Sequence, residues 1–232
     1  MSFAATAGNP DAMSALAPDS GTTKPVRFAT SDVRTTATAS SWAAQWLPES
    51  GITDLVIVCA PTAGEALHAA EHAVGTVVVV PAAWVENSGP IIVATGHDRD
   101  SDAAITPAIA LARSHAVPLV LVHVWGMPGT GAVKLPPDPY GVGSIPVGQA
   151  AALELLTERE QQRHPGVLFT SEVRQSTHVA KELLAAASTA SAIVVGRGGS
   201  HARHPQLGHT ARELIAMSPC PVVVVPSSTM RP

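Results

Sequence analysis

The sequence predicts an α/β protein built on a doubly wound parallel sheet. Three observations carry that expectation. Short β-branched runs alternate with helical patterns along most of the chain, the order that βαβ units require. Hydrophobic residues make up 46% of the chain but aromatics only 3%, so alanine-rich helices must pack on valine-rich strands. A glycine-rich loop (Gly196, Gly198, Gly199) separates an apolar run at 192–195 from a helical pattern that opens at Gly208, and Pro219-Cys220-Pro221 then leads into a valine run at 222–225.

Residues 1–25 are small and polar, carry proline and glycine and lack an apolar period, so they read as a disordered tail. A first unit over residues 26–85 has a short strand at 26–30, then a helix around Trp42 and Trp46 that Pro48 and Gly51 end. A strand at 54–59, a helix at 63–73 and a valine strand at 76–80 complete it. Glu86-Asn87-Ser88-Gly89-Pro90 is a turn-rich boundary, and a complete domain over 90–228 follows. It opens with a strand at 91–95 and a helix at 102–114, capped by Asp100 or Ser101 and carrying Pro107. After a strand at 119–125, residues 126–148 are dense in proline and glycine and read as a loop. A helix at 150–163 turns Leu153, Leu155 and Leu156 toward the core, followed by a strand at 167–172, a helix at 177–187 and the strands and helix of the glycine-loop region.

The formal charge of −4, with 14 basic residues and no basic run, provides no field for nucleic acid. No apolar run reaches the ~18 residues of a membrane span and no signal-like layout opens the chain, so a soluble, cytoplasmic protein is expected. Two cysteines make no disulfide framework; Cys59 ends a strand and Cys220 sits between prolines, and both read as packing residues. No Gly-x-Ser-x-Gly elbow appears, and no catalytic residue is assigned. The four tryptophans are scattered and read as core or rim filling.

Ligand chemistry in a doubly wound sheet sits beyond the carboxyl ends of the strands, where the strand order reverses. That edge gathers Thr95, Gly96, His97 and Asp98, then His123, Val124 and Trp125, then the loop from Gly196 to Thr210. Glycines at a strand end let successive N–H groups turn toward one spot, and the positive end of the next helix adds to that field, which favours an anion such as phosphate. Arg197, His201 and His209 read as further phosphate donors. His97, Asp98 and Asp100 on one loop, and His201, His204 and His209 on the other, are also residue types that bind zinc, but histidines in polar loops more commonly serve as solvated anion contacts or have no role, and no metal is assigned.

The pattern Gly-x2-Gly, a spacer, a further glycine opening a helix, Pro-Cys-Pro and a valine strand resembles the carboxyl end of a universal stress protein domain. Here the matching residues are Gly196, Gly199 and Gly208, followed by His209 and Thr210. The resemblance implies the universal stress protein fold, related to that of the adenine-nucleotide alpha-hydrolases. It further implies a site for ATP or another adenine nucleotide with Mg, or else a decayed site without a cofactor. Val124 matches the residue whose backbone reads adenine; Gly196, Gly199, Gly208 and Thr210 match ribose and phosphate contacts. This sequence departs from the family at Gly96, where nucleotide-binding members usually carry aspartate, at His209, where they carry a small hydroxyl residue, and in a spacer one residue short. Residues 26–85 resemble the domain more loosely, as an eroded copy in which Thr62-Ala63-Gly64 stands in for the glycine loop and no nucleotide is expected. Family domains dimerise through the last strand, so the valine runs at 77–80 and 222–225 are implied to pair as an internal pseudo-dimer or to join a homodimer. The function implied is a stress-response binding module with slow ATP hydrolysis at most; the alternative is a family member acting through dimerisation or partner binding. The Ser-Gly-Gly-x-Asp-Ser loop of the related hydrolases is not matched by residues 96–101.

Overall fold

A computed structural model describes residues 27–30, 41, 42, 46, 52, 55–59, 62–73, 75–96, 99–125, 144–198 and 207–226. The amino-terminal tail, the loop at 126–143 and residues 199–206 therefore lie outside the described residues. The strands are β1 (Arg27–Thr30), β2 (Leu55–Cys59), β3 (Thr76–Val79), β4 (Ile91–Thr95), β5 (Leu119–Trp125), β6 (Phe169–Gln175), β7 (Ala192–Gly196) and β8 (Val222–Val225). The helices are α1 (Ala63–His72), α2 (Arg99–Ser114), α3 (Ser144–Arg163), α4 (Val179–Ala187) and α5 (His209–Met217). Ser41, Trp42 and Trp46 are also helical, as expected.

One eight-stranded sheet has the order β1-β2-β3-β8-β7-β4-β5-β6. Every neighbouring pair is parallel except β3 and β8, which run antiparallel with Val77 opposite Val224, Val78 opposite Val223 and Val79 opposite Val222. The sheet is therefore mixed at one seam. On one side of the seam the strands follow the order β8-β7-β4-β5-β6, in which the direction of winding reverses between β4 and β7. Right-handed crossovers then place α2 and α3 on one face and α4 and α5 on the other. Val222 to Val225 and all of β3 are buried, because both faces of the seam are covered by helices.

Several boundaries differ from the sequence reading. α2 begins at Arg99, so Asp100 and Ser101 lie inside it instead of capping it. α3 begins at Ser144, six residues before the expected start, because Pro146 falls in its first turn, where a missing N–H costs little. Leu153 on α3 is buried, but Leu155 is 67% exposed and faces away from the core. β6 starts at Phe169, not 167, and runs on to Gln175 with alternating burial, as befits a strand at the sheet edge.

The boundary at 86–90 is fastened to the second unit. Asn87 Oδ1 accepts from Gly89 N at 2.8 Å, Asn87 Nδ2 donates to Ala190 O at 3.3 Å, and Pro90 O accepts from Ser191 N at 3.0 Å. A Cβ on Gly89 would lie 2.0 Å from Thr189 O. On the α2 face the helical tryptophans pack against the second unit: Trp46 Nε1 donates to Pro107 O at 3.1 Å, and Trp42 stacks on His115 at 5.3 Å between centroids and meets Trp84 edge-on at 6.0 Å. α2 ends in a Schellman motif, with Ala116 at φ 52°, Ala116 N bonded to Arg113 O and Val117 N to Ala112 O.

Gly89→Ala forces a backbone clash and is expected to lower stability by about 2 kcal/mol or more, read from denaturant midpoints. Burial lowers the pKa of His115, against smaller raising effects of Glu86 and a backbone hydrogen bond with Trp42. A histidine whose folded pKa lies below its unfolded value of ~6.5 leaves stability intact above that pH and removes it as pH falls toward the folded value. His115→Phe, which keeps the stack on Trp42, is expected to flatten that loss in urea melts between neutral pH and pH ~5.

Candidate nucleotide site at the switch point

Parallel pairing brings the carboxyl ends of β4, β5 and β7 to one edge of the sheet. Thr95 aligns with His123, and Gly196 with Val225. Thr95 Oγ1 donates to Val122 O at 3.2 Å, and His123 Nδ1 lies 3.0 Å from Thr95 O, so the ends of β4 and β5 are laced together. Thr95, Val124 and Gly196 are half-buried and Gly96 is exposed, which places all four at the rim of the reversal in winding.

The connection leaving β7 returns to the sheet edge at Gly208. Gly208 N donates to Arg197 O at 2.8 Å, closing a neck, and Arg197 N donates to Val225 O at 2.8 Å. Gly208 is the N-cap of α5 and provides no side-chain cap, and the first turn of α5 carries no acidic residue. Its leading N–H groups and the positive end of its dipole thus meet the carboxyl edge of β7 with no carboxylate in that first turn. Thr210 lies half-buried in that turn, while His209 is 85% exposed with Nε2 2.9 Å from Glu213 Oε1. Expected from the sequence as a phosphate donor, His209 here turns its ring along the helix to Glu213.

The corresponding end in the first unit is built differently. Thr62 caps α1, its Oγ1 accepting from Glu65 N at 3.3 Å and donating to Glu65 Oε2 at 3.0 Å. This capping arrangement satisfies the first-turn donor and brings a carboxylate to the helix start, so an anion meets a filled and negatively charged end.

Arg197 departs most from its expected place. Read as a phosphate donor, it is instead buried, and its guanidinium donates to Ala70 O and Ala73 O at the carboxyl end of α1. Burial pulls its pKa below the ordinary arginine value. Arg212, read as a surface charge, pairs with Glu71 of α1 and donates from Nε to Leu207 O. Neither contact had a sequence signal, since each spans more than a hundred residues. Gly199 and His201, together with His97, Asp98 and His204, lie outside the described residues. Among the described residues, no group of three His, Cys, Asp or Glu side chains is placed to hold a metal. The Cys220 thiol is buried and pushed up to about 11, chiefly by desolvation, and stays protonated at neutral pH. Among the described residues no helix is long and apolar enough to cross a membrane.

With this geometry in hand, known proteins supply the context. The sequence profile of the universal stress protein family matches residues 88–226. No curated protein matches the chain. A universal stress protein from Lactobacillus plantarum is 20% identical, with 61% of this chain and 99% of that one covered and a TM-score of 0.50. A putative universal stress protein from Pseudomonas aeruginosa UCBPP-PA14 is 14% identical, covering 89% of this chain and 84% of that one, with a TM-score of 0.55. A universal stress protein determined in complex with cAMP is 17% identical, covering 61% of this chain and 98% of that one, with a TM-score of 0.45. With a profile match that spans residues 88–226, more than half of the chain, the chain belongs to the universal stress protein family.

Proposed function

We propose that the chain is a nucleotide-responsive binding module of the stress response that holds an adenine nucleotide at the carboxyl edge of β4, β5 and β7. The phosphates lie against the first turn of α5, and the base and ribose lie along Thr95, Gly96, Val124 and Gly196. One observation carries the reading. The N-terminus of α5, at the reversal in winding, has a glycine cap and no acidic residue, whereas the N-terminus of α1 is filled by Thr62 and Glu65. Within one chain, then, only one of the two comparable helix starts is suited to an anion. Magnesium accompanies a bound triphosphate as its counter-ion; the described residues offer it no ligand cluster.

The first unit is read as an eroded copy of the second. Counting outward from the seam, β3, β2 and β1 match β8, β7 and β4 in order and direction, and among the described residues nothing in the first unit matches β5 and β6. The seam then stands where two copies would meet, as an internal pseudo-dimer. The alternative, a family member that works through dimerisation or partners without nucleotide, draws on Gly96 in place of a carboxylate and on the commitment of Arg197 to α1.

Calorimetric titration of ATP, ADP and AMP, with and without magnesium, separates the two readings. Micromolar binding is expected in the unmodified chain. In Gly208→Asp the new carboxylate caps the first-turn amides itself, so binding is expected to weaken at least about tenfold while thermal stability holds or rises by a few tenths of a kcal/mol. Thr62→Ala is expected to leave binding unchanged. Absence of heat at millimolar nucleotide would reject the nucleotide reading.

A further inference from the structure

The carboxyl end of α1 belongs to the first unit, yet it is built into the neck of the second unit's site. Arg197 is 3% exposed, and its guanidinium reaches Ala70 O in the last turn of α1 and Ala73 O at its C-cap. The backbone of the same residue joins β8 through Val225 O and joins α5 through Gly208 N, each at 2.8 Å. On the other side of the neck Arg212 pairs with Glu71 and donates to Leu207 O at 3.3 Å. Two arginines that bracket residues 198–207 thus converge on one helix end. The antiparallel seam is the reason, since β3 starts beside the carboxyl end of β8, and α1 leads directly into β3.

We propose that the carboxyl end of α1 positions the second unit's anion site, with Arg197 as the positioning residue that ties Gly208 to the first unit. The carbonyls at the helix end and the negative end of its dipole hold the buried cation. A planar guanidinium gripped at two carbonyls fixes orientation as well as place, which a flexible ammonium does not. The carbonyl of that same residue receives the Gly208 N–H, so the start of α5 is set by where α1 ends. The Glu71–Arg212 pair is partly exposed and weak alone, and it guides the second side of the neck. This role gives the first unit a reason to persist although its own helix start is closed to anions. The proposal rests on the nucleotide reading only for its second readout.

Amide hydrogen exchange in the unliganded full chain is the first readout. Arg197→Met, which keeps apolar bulk, is expected to speed exchange about tenfold at Gly208 and at Ala73, whose N–H bonds to Ala69 O, while β5 is unchanged. Arg197→Lys is expected to restore part of the protection at both. Faster exchange at Ala73 with Gly208 at its original rate would show a cap for α1 alone and overturn the proposal. Should Arg197→Met not fold, Glu71→Arg is expected to loosen Gly208 and the double variant Glu71→Arg/Arg212→Glu to restore it; an unaltered Gly208 in the single variant overturns the proposal. AMP titration is the second readout, with affinity expected to fall about tenfold in Arg197→Met and recover in part in Arg197→Lys. If the unmodified chain takes no AMP, the nucleotide reading fails and the exchange data still decide the positioning role.

Discussion

The antiparallel pairing of β3 with β8 is the constraint on which the rest of the molecule depends. Three valines from each strand meet across it, and both strands are buried on both faces. Main-chain hydrogen bonds fix its direction, and the direction fixes which ends become neighbours. Because β3 runs against β8, the end of α1 arrives beside the carboxyl ends of β7 and β8. A parallel seam would have brought the start of α1 there, with Thr62 and Glu65 in place of open carbonyls. The destination of Arg197 thus follows from strand direction.

The two faces of the sheet then solve different problems. On the α2 face, tryptophans and His115 fill the gap between units with large rings in a chain otherwise short of them. On the other face, α1 and α5 meet near the seam and join through charge, with Glu71 on Arg212 and the helix end on Arg197. Packing by rings tolerates small rotations of one unit against the other; bonds from a guanidinium to two carbonyls do not.

Much of this was legible in the sequence, for physical reasons that differ from element to element. Stretches such as 91–93 of β4 and Val222–Val225 are buried on both faces and so appear as uninterrupted apolar runs. β6 is half-exposed at the edge, its apolar signal is diluted by Thr170, Glu172 and Arg174, and its limits were misplaced. The start of α3 was hidden by Pro146 and Gly148, which read as loop residues when the first-turn exception is not known to apply. At the candidate site, the glycines and the helix start could be read locally. The engagement of Arg197 could not, because its partners are carbonyls, which every residue carries and no sequence pattern marks.

The seam also governs the order in which the chain can be completed during synthesis. β3 emerges before the second unit, and because it pairs with β8, almost the entire second unit must be made before Val222 to Val224 can cover it. Until then the first unit carries a bare valine edge of the kind that joins other chains as readily as its own. Long-range closure of this sort is slow, and an unpaired edge is exposed to aggregation for as long as closure is delayed. Joining the two units through β3 and β8 thus leaves the valine edge of the first unit waiting on the strand that closes the second.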